Sequence, residues 1–140
     1  MGTVQVNMIG LMVEDMPRAL AFYRLLGLDI PVEDDEKRFV MHRMESGVTL
    51  FWDRFFADEY DPSRQPVTGE NRNHYQSMLE FYLGHDEAVD AMYATLTGAG
   101  YHGRMAPAQT VGPYAAMVDD PDGNVLLLTS DQGSLAATKD

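Results

Sequence analysis

The signals for a strand, a helix and further strands occur twice in this 140-residue chain, and that repeat most limits what it can fold into. Residues 4–13 (VQVNMIGLMV) form a β-branched and apolar run of strand length, ended by Glu14 and Asp15. Asp15 is placed to cap a helix that Met16 and Pro17 open, because proline is tolerated in a first turn. Ala19, Leu20, Phe22, Tyr23 and Leu26 then recur at helical spacing, and Gly27 supplies the stop. An acidic turn at 33–36 leads to a strand near 38–44. Glu45-Ser46-Gly47 reads as a hairpin turn and 48–53 as the returning strand, so the first half reads β-α-β-β-β.

The second half follows the same order. Residues 78–83 predict a strand and 87–97 a helix, with Ala88, Ala91, Met92 and Leu96 on one face and Gly98-Ala99-Gly100 at its end. Strands near 101–106 and 114–118 follow, then the tight turn Asp120-Pro121-Asp122-Gly123 and a last strand over 124–129. A shift of 70 residues places Met8 on Met78, Val13 on Leu83, Tyr23 on Tyr93 and Leu26 on Leu96. A shift of 77 places Val48 on Val125 and Leu50 on Leu127. Residues 56–77 have no period and contain Pro62, Pro66 and Gly69. They predict a connection between modules at about 4–55 and 78–130, with an arm that packs on a partner subunit. The polar tail over 131–140 is expected to fray.

Composition narrows the function. A 45% hydrophobic content supplies a globular core, and no apolar run approaches the roughly 18 residues of a membrane span. The absence of cysteine removes disulfides, thiolate metal sites and cysteine nucleophiles. Residues 1–5 lack the basic and apolar regions of a secretory signal, which makes a cytoplasmic location the expectation. With 22 acidic and 10 basic residues the net charge is -12. Such a chain repels nucleic acid and anionic membranes and attracts cationic small molecules.

Two segments carry a family resemblance. Residues 13–23 (VEDMPRALAFY) followed by Leu25-Leu26-Gly27-Leu28, and Asp120-Pro121-Asp122-Gly123-Asn124 before a final strand, resemble the vicinal-oxygen-chelate superfamily. This group includes glyoxalases, bleomycin-resistance proteins and extradiol dioxygenases. The resemblance implies an α+β fold of two βαβββ modules forming a curled mixed sheet around a cleft, acting as a homodimer. Strand alternation then predicts cleft-facing sets. They are Met8, Gly10 and Met12; Val48, Leu50 and Trp52; Met78, Glu80 and Tyr82; and Val125, Leu127 and Thr129, with Phe51 and Asp53 as the alternative to the Trp52 set.

In the family's metalloenzymes, His, Gln or Glu hold a divalent ion at positions that fall here on Met8, Leu50, Met78 and Leu127. Thioether and aliphatic groups are poor ligands for zinc, nickel, iron or manganese, so no metal and no cofactor is expected. The expected function is metal-independent binding of a small organic molecule, cationic or aromatic, as in bleomycin-resistance-type members. Met8, Met12, Leu50, Trp52, Met78, Glu80, Tyr82, Tyr114 and Leu127 are the candidate contacts. Glu80, set between Leu79 and Phe81, is the candidate general base of an alternative, a glyoxalase-like lyase or isomerase. A rearranged metal site would involve Glu80 and His42. His74, His85 and His102 fall in loops or at a helix start.

Overall fold

The computed structural model describes residues 2–130. The chain divides into two compact units between Pro66 and Val67, inside the expected connection. The predicted tail over 131–140 lies outside the described residues.

The first unit contains β1 (Ile9–Met12), α1 (Met16–Leu26), a 3-10 turn (Val32–Glu36), β2 (Phe39–Arg43), β3 (Thr49–Asp53) and a short α2 (Phe56–Glu59). Its sheet has the order β1-β3-β2, with β1 parallel and β2 antiparallel to β3. The helix starts as the sequence requires: the Arg18 amide donates to Asp15 Oδ1 at 3.0 Å. It ends at Gly27, whose φ of 120° is costly for any side chain. Ala19, Leu20, Phe22, Tyr23 and Leu26 of α1 are buried, as are Leu11, Val40, Leu50 and Trp52 of the sheet. Tyr23 meets Trp52 edge-on with ring centroids 5.1 Å apart.

That contact corrects the expected register of β3. Leu50 and Trp52 lie on the helix side with Ile9 and Leu11, their pairing partners. The open side carries Thr49 and Phe51, the alternative parity. The cause is steric: a side chain at Gly10 would strike the Phe51 ring, so Gly10 and Phe51 share the face away from α1.

Two further differences appear in this unit. β1 begins at Ile9 rather than at residue 4, and Val4 and Val6 are exposed. Its partner β3 starts at Thr49, just after the hairpin turn, so earlier residues have nothing to pair with. Among the described residues the unit pairs three strands, where the sequence order allowed four. Between α1 and β2, Arg24 takes the place of a strand partner: its side chain donates to the carbonyls of Ile30 at 2.8 Å and Pro31 at 2.7 Å.

The second unit has the full βαβββ order: β4 (Leu79–Tyr82), α3 (Asp86–Gly98), β5 (Gly103–Gln109), β6 (Tyr114–Asp119) and β7 (Val125–Thr129). The sheet order is β4-β7-β6-β5, with β4 parallel to β7 and the other pairs antiparallel. Val89 and Leu96 of α3 are buried, as are Ala116, Val118, Leu126 and Leu128 of the sheet. The helix approaches β5 so closely that any side chain at Gly103 would strike the Tyr93 hydroxyl. Together the units make an α+β fold with two mixed sheets of three and four strands. No helix among the described residues is long and apolar enough to cross a membrane.

The β3 register has a direct test in equilibrium denaturation. Trp52→Ala is expected to cost about 3–5 kcal/mol, as for other buried aromatic truncations. Phe51→Ala, on the open side, is expected to cost less than about 1.5 kcal/mol. Equal losses would show that both rings are equally enclosed.

Candidate functional site

In the second unit the side of the sheet opposite α3 holds the predicted residues in rows. Glu80 pairs with Leu127, Leu127 with Met117, and Met117 with Met105, so one carboxylate, one leucine and two methionines cross all four strands. The neighbouring row joins Tyr82, Thr129 and Ala115. The Thr129 hydroxyl donates to Glu80 Oε2 at 3.1 Å and orients the carboxylate from beneath. Glu80 and Tyr82 are exposed, whereas Leu127, Met117 and Met105 are half-buried. Met78 lies just before β4 and is also exposed. The parity is fixed here because a charged residue in Leu79-Glu80-Phe81-Tyr82 cannot face the helix-side core.

In the first unit the open side carries Gly10 and Met12 of β1, Phe51 of β3, and Phe39 and Met41 of β2; Met8 precedes β1 on the same alternation. Phe39 stacks on Phe51 with centroids 5.1 Å apart and planes 24° from parallel. Of the expected contacts in this unit, Met8 and Met12 lie on the open side, while Leu50 and Trp52 are core residues. His42 pairs with Leu50 and shares its side rather than that of Phe51. Met41, Met105 and Met117 were missed, and Phe51 was named only as the alternative to Trp52. Each could have been found by extending the two-residue alternation to every strand once one parity was secure.

Tyr114 departs from expectation. Its hydroxyl donates to Asp90 Oδ1 of α3 at 2.6 Å, which draws it to the helix side of the sheet. The same hydrogen bond, helped by desolvation and the nearby Asp90 charge, pushes the phenol up to about 12. His85 occupies the position before α3 without a side-chain capping hydrogen bond and lies 3.4 Å from Glu87, both in solvent.

The far end of the second sheet is closed by a buried ion pair. Arg104 of β5 pairs through Nε with Asp119 Oδ1 of β6, and the two side chains are 9% and 3% exposed. The rest of the guanidinium holds the segment before β4. It donates to Asn73 Oδ1 at 2.8 Å and to the Arg72 carbonyl at 2.5 Å, and it lies over the Tyr75 ring at 4.8 Å. Arg72 Nε approaches the second Asp119 oxygen to 3.6 Å, an ion pair beyond hydrogen-bond reach.

The sequence profile of the Glyoxalase/Bleomycin resistance protein/Dioxygenase superfamily matches residues 5–128. The chain belongs to this superfamily. Solved structures agree in fold. Hypothetical protein SA1046 from S. aureus is 23% identical with a TM-score of 0.73, over 93% of this chain and 96% of that one. Protein ATC0852 from Agrobacterium tumefaciens is 26% identical with a TM-score of 0.70, over 94% and 100%. A glyoxalase/bleomycin resistance protein/dioxygenase family enzyme from Burkholderia phytofirmans PsJN is 19% identical with a TM-score of 0.70, over 87% and 94%. A comparison with curated proteins finds no match.

Membership raises the question of a metal, and the donor chemistry does not fit one. Of Met8, Leu50, Met78 and Leu127, where the resemblance placed the ligand positions, Leu50 is turned into the core and the open side of β3 carries Phe51 in its place. Among the described residues no three His, Asp or Glu side chains gather where they could hold an ion. Glu80 stands next to Leu127 without an imidazole or second carboxylate in its row.

Two measurements follow from these contacts. A tyrosinate absorbance titration should show one tyrosine ionising near 12, and Tyr114→Phe should delete that step. The sign follows from a raised folded value: the Tyr114–Asp90 bond contributes fully below the ordinary phenol value near 10. It is lost as pH rises toward 12. Separately, Arg104→Met should lower stability by roughly 3 kcal/mol or more, because it strands the buried Asp119 carboxylate. An unchanged denaturation midpoint would mean that Arg72 or water takes over the pairing.

Proposed function

We propose that this chain is a metal-independent small-molecule binding protein of the bleomycin-resistance type, holding an organic ligand against the open side of its sheet. One observation carries the reading. Leu127, where the resemblance places a metal ligand, sits in an unbroken row with Met117, Met105 and Glu80 on the open side of the second sheet. Methionine adapts its shape and contacts aromatic surfaces through a polarisable sulfur, which suits a planar guest. Glu80 supplies the single charge of that row, and the net charge of -12 raises the local concentration of cations. The favoured guest is therefore a cationic compound with an aromatic face, and the working form is a homodimer.

Calorimetry with a panel of cationic aromatic compounds and their neutral analogues tests this. A cation is expected to bind, and Glu80→Gln to weaken it by about tenfold while leaving the neutral analogue unchanged. Met117→Ala should weaken both. Protein incubated with zinc, nickel, iron or manganese should retain no stoichiometric metal. Retained metal would overturn the reading, as would a turnover activity whose pH profile is lost in Glu80→Gln. That second outcome would make Glu80 a general base.

A further inference from the structure

A pocket independent of the sheet faces lies wholly within the first unit. It is an open cleft of about 370 Å3 lined by the start of α1, the end of the 3-10 turn and the residues following β3. Its lining is charged with both signs, and most of those charges are already matched. Glu14 pairs with Arg64 at 2.9 Å, Asp35 with Arg24 at 2.9 Å, Lys37 with Asp34 at 2.8 Å, and Arg38 with Glu59 at 2.8 Å. Asp15 is spent on the Arg18 amide.

Two lining groups stand apart. Among the described residues, neither Glu36 nor Arg54 has an ion pair or a side-chain hydrogen bond. The Arg54 guanidinium rests only on the Phe55 ring, 5.1 Å from its centroid, with the Arg38 guanidinium 4.5 Å from the same ring. The pocket thus presents one unmatched carboxylate and one unmatched guanidinium beside an apolar surface of Pro17 and Phe55. A purely anionic guest would meet Glu36 and a chain of net charge -12. A purely cationic guest would meet Arg54. A zwitterion answers both groups and feels little long-range repulsion.

We infer that this pocket binds a free α-amino acid, its carboxylate held by Arg54 and its ammonium by Glu36. Guanidinium is the better cation for this task because it forks onto a carboxylate with two parallel hydrogen bonds. An apolar amino-acid side chain would lie against Pro17 and Phe55. The volume falls within the range of small-molecule sites, roughly 300–1,000 Å3. This site does not use Glu80 or the methionine row, so it stands or falls separately from the sheet-face reading.

The test is calorimetry of the full chain with phenylalanine, phenylalaninamide and N-acetylphenylalanine. Phenylalanine is expected to bind, and each analogue lacking one charge to bind at least about tenfold more weakly. Arg54→Gln should abolish the difference between phenylalanine and its amide. Glu36→Gln should abolish the difference between phenylalanine and its N-acetyl form. Both residues are exposed, so both variants should melt as the parent does, and Glu80→Gln should leave the binding unchanged. The inference is overturned if phenylalanine gives no heat at millimolar concentration, if either analogue binds as tightly, or if both variants keep the parent affinity.

Discussion

When Tyr23 of α1 meets Trp52 of β3 edge-on, the helix and the sheet of the first unit acquire a common core, and every other assignment in that unit follows from it. With Trp52 inside, Leu50 and Leu11 are inside too, and Gly10, Phe51 and Phe39 are turned to the open side. The cost is visible: among the described residues, the buried Trp52 indole N–H has no acceptor. Leaving such a donor unpaired costs about 1–3 kcal/mol. Burying a large ring against a second aromatic side chain returns about as much or more. Apolar volume decides the packing, and the polar atom is carried along.

The difference in legibility between the two units has the same physical origin. In Leu79-Glu80-Phe81-Tyr82 a carboxylate marks the solvent side of the strand, so alternation assigns Met78, Glu80, Tyr82 and, through pairing, Leu127 without ambiguity. In Leu50-Phe51-Trp52 every residue is apolar and either parity buries an aromatic ring. Nothing local distinguishes the two. The choice is made by Gly10 on the neighbouring strand, which leaves room for Phe51, and by Tyr23 across the core. Helix limits were readable because caps are local chemistry, as Asp15 and Gly27 illustrate. The segment between α1 and β2 was not, because it is held by Arg24, whose guanidinium satisfies carbonyls six and seven residues away. Tyr114 was misplaced for a related reason: its partner Asp90 lies on another element, and no spacing rule links the two.

Charge is used differently at different depths. The surface excess of acid sets long-range attraction, but Asp119, Asp120 and Asp122 are buried and do structural work. Asp120 accepts from the Asp122 and Asn124 amides at 2.9 Å each, which closes the turn before β7. A side chain at Gly123 would strike Val67, so the turn also seats the start of the second unit. Asp119 holds Arg104, and Arg104 holds residues 72–75. The same turn that identifies the superfamily therefore organises the approach to β4, whose Glu80 carries the proposed binding chemistry.

On the proposed reading, a sheet face of thioethers and alkyl groups discriminates differently from a metal centre. A metal selects by the direction and basicity of a few donor atoms. An apolar row selects by area, at roughly 25 cal/mol per Å2 removed from water, and one methylene more or less shifts that sum only slightly. Methionine weakens shape selection further because its three torsions let it follow the guest. On such a face, discrimination falls to the few groups with direction. In the second unit those are Glu80, fixed by the Thr129 hydroxyl, and the phenol of Tyr82 at the exposed end of the next row. On the proposed reading, such a face is better suited to a class of molecules sharing one cationic group than to a single substrate.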